Sequence, residues 1–209
     1  MIDTRAYSGA IYDVIKFDIG YDKDFVLPRD LVPIWNFDGF IFGKAFTAVG
    51  RKSSNPDLLL PSKMLDAVPP NSIYILQAND NSRSHIGDLT TRFLKRADCL
   101  GAIVQGWARD SLAIEREKFP VWSKGMIPHD AKDRWGIEDF QCEIVIGNIF
   151  ISPSDYIFAD RDGIIIVRNI LLDDVLRLTK EKLDKEDEIR TQQARGVSAE
   201  DIAKKVGLW

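Results

Sequence analysis

The chain has 209 residues, enough to bury one sizeable core and to carry a short tail beside it. Its 32 acidic and 28 basic residues leave a net charge of −4, which argues against broad nucleic-acid binding through a basic surface. Asp3 and Arg5 interrupt any early apolar run, and no stretch approaches the roughly 20 apolar residues of a membrane span, so no membrane partner and a cytoplasmic location are expected.

In chain order, residues near Tyr7 to Phe17 read as a short helix, followed by a connector bearing Pro28, Pro33 and Trp35. Apolar, β-branched or aromatic runs predict strands at 39–43, 46–50, 72–77, 101–105, 120–123, 143–146, 155–159 and 163–167. A helix from about Pro61 to Ala67 precedes the turn at Pro69-Pro70-Asn71. Gly87 permits a tight approach, Asp88 is a favoured N-cap, and Leu89, Phe93 and Leu94 share one face, which predicts a helix from Asp88 to about Ala97. Cys99 and Cys142, far apart and without partners at ligand spacing, read as buried thiols in a reducing compartment. Toward the C-terminus, Leu172, Leu176 and Leu183 recur at helical intervals while 180–188 is almost wholly charged, the pattern of a solvated helix with i,i+4 pairs. Ser198 and Asp201 then have the spacing of a capping box that starts a last short helix. No internal repeat is visible, and strands alternating with few helices imply mixed α/β layers. The expected division is one domain over 1–170, including the N-terminal helix, and a charged helical extension over 171–209.

The stretch richest in chemistry is Asp88, twenty intervening residues, then Arg109-Asp110 on the loop that follows the run Gly101–Gln105 and its breaker Gly106. A helix N-terminus offers unpaired N–H donors to an anion, an Arg grips a carboxylate, and an Asp holds a hard divalent cation. Together they would form a site for a metal-bound oxo acid. The same residues also fit a plain helix cap and a surface ion pair worth about 0 to 1 kcal/mol, and by themselves they leave both readings open. His85 has the chemistry of a general acid or base, although a loop His beside Ser84 is commonly just exposed.

Five segments in order resemble the family of the regulator of ribonuclease activity A and its relatives, the 4-hydroxy-4-methyl-2-oxoglutarate aldolases. They are Ser8-Gly9-Ala10-Ile11-Tyr12-Asp13, Gly43-Lys44-Ala45-Phe46-Thr47, the ungapped Asp88 to Arg109-Asp110 spacing, Phe119-Pro120-Val121-Trp122, and the run from Ile151 to Val167. Four positions depart from the family pattern. Ser154 and Asn148 stand in place of glycines, Arg168 in place of a proline, and Ala113 where many relatives carry a further carboxylate.

The resemblance implies an α/β fold of the swivelling β/β/α sandwich kind with helical ends, assembled as a homotrimer or hexamer. It implies a divalent-metal-dependent aldolase that cleaves a 4-hydroxy-2-oxo acid to pyruvate and a second carbonyl compound, with oxaloacetate decarboxylation as a side activity. Magnesium or manganese would sit on Asp110 directly and on Asp88 through water, with Glu186 or Glu188 supplied by a neighbouring subunit. Arg109, Gly87 and the N–H groups of Leu89 and Thr90 would hold the small 2-oxo acid. By the same analogy Asn79, Asp80 and Asn81 line the pocket, Gly106 and Trp107 form its wall with a core role for Trp107 equally open, and His129 stands near the entrance. The alternative is a non-catalytic regulator that binds a ribonuclease or helicase. An S-adenosylmethionine-dependent methyltransferase ranks last, because no glycine-rich loop follows an early strand.

Overall fold

In the computed structural model, which describes residues 1–207, the chain divides into two compact units, one of Asp24–Asn169 and one of Met1–Lys23 with the residues from Ile170 onward. The helical unit opens with α1 (Ser8–Asp13), which runs into a π-helical turn (Val14–Asp18). The larger unit contains β1 (Val32–Pro33), β2 (Ile41–Lys52), α2 (Leu60–Asp66), β3 (Ser72–Gln77), β4 (Ser84–Ile86), α3 (Asp88–Arg96) and β5 (Gly101–Gln105). It continues through β6 (Trp107–Ala108), α4 (Ser111–Arg116), β7 (Val121–Ser123), β8 (Trp135–Phe140), β9 (Ile144–Ile146), β10 (Ile149–Ile151), β11 (Tyr156–Ala159) and β12 (Ile164–Val167). A 3-10 turn (Asn169–Leu171) leads into α5 (Leu172–Ala194) and α6 (Ala199–Val206).

The main sheet has the order β1-β7-β5-β3-β2-β11-β12, with β8 also paired to β2. Strands β2, β3, β5 and β7 are parallel neighbours, and β11 joins β2 antiparallel. Alternate residues of these strands face two separate cores. Phe46, Ala48, Tyr74, Leu76, Ala102, Val104 and Val121 pack with Met64 of α2, Leu94 of α3 and Ile114 of α4. Ala45, Ile73, Ile75, Ile103 and Trp122 pack instead with the isoleucines of β9 to β12. A sheet covered by helices on one face and by strands on the other is the expected mixed α/β, β/β/α architecture, and burial on both faces explains why its strands read as unbroken apolar runs.

Three expectations for this unit need correction. The predicted strands 39–43 and 46–50 are one strand, β2, because exposed Lys44 stays in register between Tyr156 and Ser72. Asp88 is the first residue inside α3 and Gly87 holds the N-cap position, with an extended backbone. Cys142 is half-buried; only Cys99 lies in a core, and both thiols are free. The departures from the family pattern are accommodated locally. Ser154 closes its turn by donating its N–H to the Ser152 Oγ, and Arg168 reaches the Asp155 carboxylate at 2.7 Å.

The helical unit places the N-terminal helix with α5 rather than in the sheet domain, contrary to the division at 170. The cause is a set of ties between them: the Tyr7 hydroxyl donates to Glu186, Arg5 pairs with Asp184 and Asp187, and Lys182 pairs with Asp13. On α5 the buried face is Val175, Thr179, Leu183 and Ile189, so of the expected stripe only Leu183 is buried, while Leu172 and Leu176 are half-buried. The surface ion pairs Arg177–Glu181, Lys180–Asp184 and Arg190–Glu186 have the expected i,i+4 spacing, and Ser198 caps α6 by accepting from the Asp201 N–H at 3.1 Å. The expected extension is described as far as Gly207; its last two residues lie outside the described residues. Among the described residues no helix is long and apolar enough to cross a membrane.

Candidate functional site

Strands β3 and β5 run parallel, and the segments leaving their carboxyl ends carry the polar residues, the side of an open parallel sheet where ligands bind. After β3 the chain passes Asp80 and enters β4; after β5 it enters β6, which pairs with β4 in a short parallel ribbon. This ribbon brings the start of α3 beside Arg109-Asp110. The Arg109 N–H donates to the Ile86 carbonyl at 3.0 Å, fixing the two segments in register.

Asp110 adopts a left-handed backbone, φ 60°, immediately before α4, at a cost of about 1 kcal/mol that Asp bears better than most residues. The conformation turns its carboxylate onto the N-terminus of α3. Its Oδ2 accepts from the Asp88 N–H at 3.3 Å and lies 3.5 Å from the Arg109 Nε, while Oδ1 has no partner among the described residues. Gly87 allows this approach, since a Cβ there would fall 2.6 Å from the same Oδ2. The next N–H groups of α3, on Leu89 and Thr90, belong to the first turn and have no intrahelical acceptor. The Asp88 carboxylate faces Arg92 at 3.7 Å.

A cavity of about 130 Å³ opens beside this cluster, lined by Ser84, His85, Ile86, Gly87, Thr90, Arg109, Asp130, Ala131 and Trp135. Asp130 was not singled out in the sequence, yet its Oδ2 accepts from the Arg109 Nη1 at 2.5 Å. Its Oδ1 accepts from the Lys132 N–H at 2.6 Å; that bond, with the Arg109 guanidinium, holds the carboxyl below the usual carboxylate range. The segment is pinned to β4, because both the N–H and the hydroxyl of Ser84 donate to the His129 carbonyl.

His85 is not an exposed loop residue. Its side chain is fully buried in β4, edge-on to Trp135, with Nε2 3.3 Å from the Asp80 Oδ2. Burial lowers its pKa against the opposing pull of Asp80, so the ring is neutral and its Nε2–H donates to the carboxylate. Nδ1 is then a buried acceptor without a partner among the described residues. Burial pushes the Asp80 carboxyl up, but bonds from Ser82, Lys52 and His85 outweigh it and hold the group ionised.

Of the expected residues His85, Gly87, Thr90 and Arg109 line the cavity; Asp88, Leu89, Asp110 and the others lie outside its lining. Asn79 donates to the Gly50 carbonyl, Asp80 lies beneath His85, and Asn81 accepts from the Trp107 indole, which is half-exposed rather than part of the core. Gly106 backs the His85 ring, where a Cβ would fall 2.3 Å from Nδ1. His129 is exposed and contributes its carbonyl. Glu186 accepts from Tyr7 and pairs with Arg190, and Glu188 pairs with Lys205, all inside the helical unit. Among the described residues no group of three or more His, Cys, Asp or Glu side chains gathers as a metal cage.

A family model described as RraA-like, Aldolase/RraA, matches residues 10–166. Protein DlpA of Legionella pneumophila is 29% identical over 163 residues, which cover 77% of this chain but only 26% of DlpA. A Bacillus cereus protein with the provisional name 4-hydroxy-4-methyl-2-oxoglutarate aldolase is 23% identical over 111 residues, 53% of this chain and 69% of its own length. The solved structure of Streptomyces coelicolor RraAS2, described as an unusual member of the RNase ES inhibitor RraA protein family, superposes with a TM-score of 0.75 at 20% identity. That match covers 91% of this chain and 92% of the other, and at such identity it establishes a shared fold.

Proposed function

The chain belongs to the RraA-like Aldolase/RraA family, and from that premise we propose that it is a divalent-metal-dependent aldolase releasing pyruvate from a 4-hydroxy-2-oxo acid. The observation that supports this most directly is the convergence of the Asp110 carboxylate, the Arg109 guanidinium and the first N–H groups of α3 beside a cavity that Gly87, Thr90 and Arg109 line.

The donors suit a hard cation that keeps much of its water: carboxylate oxygens alone, with the Asp110 Oδ1 uncommitted among the described residues. Asp110 would ligate directly and Asp88 through water. Since no third donor gathers there among the described residues, Glu186 or Glu188 of another copy in a trimer or hexamer would complete the set. Magnesium and manganese both fit such oxygen ligands. When bound, the ion acts as a Lewis acid toward the 2-oxo oxygen, which lowers the barrier by several kcal/mol.

The chain's own groups then have defined tasks. The Leu89 and Thr90 N–H groups and the positive end of α3 hold the substrate carboxylate. Arg109 donates to that carboxylate and to the 2-oxo oxygen. As the 4-hydroxyl gives up its proton to water and becomes the second carbonyl, the bond between C3 and C4 breaks and its electron pair moves toward the 2-oxo oxygen, forming pyruvate enolate, which then takes a proton from water at C3 to leave as pyruvate. Arg109 stabilises the new negative charge, and loss of such an oriented donor costs about 2.7 to 4 kcal/mol. No lysine is among the cavity-lining residues to form a Schiff base.

The test is pyruvate formation from saturating oxaloacetate, whose decarboxylation passes through the same enolate. Release in magnesium that EDTA abolishes and added magnesium restores is the expected result. A folded protein that releases none above the metal-only rate would leave a binding role in its place.

A further inference from the structure

We propose that Asp130 sets the charge that the cavity accepts at the far end of its substrate, selecting 2-oxo acids with an uncharged, hydroxyl-bearing tail over dicarboxylates. The inference rests on the reading of Arg109 as the contact for the oxo-acid end.

The argument is one of charge placement. Arg109 is the only cation among the described residues that line the cavity, and it is already shared by two carboxylates, with Nε on Asp110 and Nη1 on Asp130. Nη2 alone has no partner among the described residues. A bound divalent ion would sit against Asp110, while Asp88 also faces Arg92, and the remaining Nη2 and the α3 N-terminus suffice for one substrate carboxylate. Among the described residues no second cation lines the cavity, and Arg83, outside the lining, already donates to the Asp130 carbonyl at 3.4 Å. Beyond Arg109 the wall is Trp135, neutral His85, Ala131 and the hydroxyl of Ser84, with Asp130 the one charged group.

Asp130 is built in place rather than loosely parked. Its Oδ1 is fixed by the Lys132 N–H, and the preceding residue is tied to Ser84 by two hydrogen bonds. Arg109 and the Lys132 N–H keep it ionised. A distal carboxylate would therefore meet a fixed like charge at short range, and because the Asp130 side chain is 53% exposed the repulsion is partly screened by solvent. Substrate hydroxyls would instead find an acceptor. Oxaloacetate remains a substrate under this proposal, but only at a raised KM.

Titration calorimetry in excess magnesium tests the proposal without requiring turnover. The ligands are 2-oxopentanoate and 2-oxoglutarate, which share the chelating end and differ in tail charge. Wild-type protein should bind 2-oxopentanoate at least about tenfold more tightly, a difference of about 1.4 kcal/mol. In Asp130→Asn, which retains an oxygen for the Lys132 N–H, the preference should shrink to less than about threefold. If wild type shows no preference, or the variant keeps it unchanged, the proposal is overturned while the oxo-acid site stands. An equal gain for both ligands would make Asp130 a mere plug on Arg109 and would also overturn it. Failure of wild type to bind either ligand overturns the reading of the site and this proposal together.

Discussion

His85 shows how much the meaning of one residue depends on its neighbours. The ring occupies a polar-poor position between Trp135 and the backbone of Gly106, and its one polar partner is a carboxylate that is itself nearly inaccessible. The folded protein resists protonating it because burial lowers its pKa. The unfolded chain accepts a proton near the ordinary value of about 6.5. Below that pH the unfolded state therefore binds more protons than the folded state, and stability falls as pH falls; above it His85 adds no pH dependence. Thermal melts between about pH 7.5 and pH 5.5 should show wild type losing more stability than His85→Gln. Equal losses would place the acid sensitivity elsewhere. None of this was legible in the sequence, where Ser84-His85 reads as a polar loop: a three-residue strand is too short to display alternation, and its partner β6 has only two residues. Asp130 escaped notice for a related reason, since its contact with Arg109 spans 21 residues and leaves no periodic trace.

At the scale of elements, regular pattern decided what could be read. Strands β3 and β5 have the expected limits because each is a short apolar run with clear breakers, and α3 follows from Gly87-Asp88 and its apolar spacing. By contrast β8 alternates poorly, and α4 is only six residues long. The junction of β4 and α3 gives the sharpest test of how these elements build the site. Gly87 has φ −146°, a conformation open to any residue, so alanine there brings no backbone strain. Its Cβ would nevertheless meet the Asp110 Oδ2 at 2.6 Å and the Arg109 Cγ and Nε at 3.3 Å. The side chains can move away at little cost, but then they leave the site. Gly87→Ala should keep its melting temperature within about 3 °C of wild type while pyruvate formation falls about 100-fold, the penalty for a misplacement on the order of 1 Å. Full activity in that variant would mean that the observed packing of Asp110 on α3 is not the working geometry.

In the sheet unit, the sequence conveys the layers better than the connections. Apolar runs buried on both faces announce a central sheet, and the motif spacing announces where the candidate site lies, at the carboxyl ends of β3 and β5. The grouping of the N-terminal helix with α5 was hidden, because it depends on pairings such as Tyr7 with Glu186 that are 179 residues apart. That no third carboxylate, His or Cys gathers with Asp88 and Asp110 among the described residues is likewise visible only in the fold. It makes assembly part of the proposed chemistry: an isolated copy would hold its cation by too few ligands. On the proposed reading the site grips the pyruvyl end, so its action can be followed without knowing the natural tail. Exchange of the pyruvate methyl protons in heavy water, followed by nuclear magnetic resonance, reports enolate formation directly. The account predicts exchange well above the metal-only rate in magnesium, its loss in EDTA, and a fall of about 100-fold or more in Arg109→Lys with the fold intact, since Lys lacks the planar grip. Exchange that survives EDTA, or that proceeds at the wild-type rate in Arg109→Lys, would contradict it.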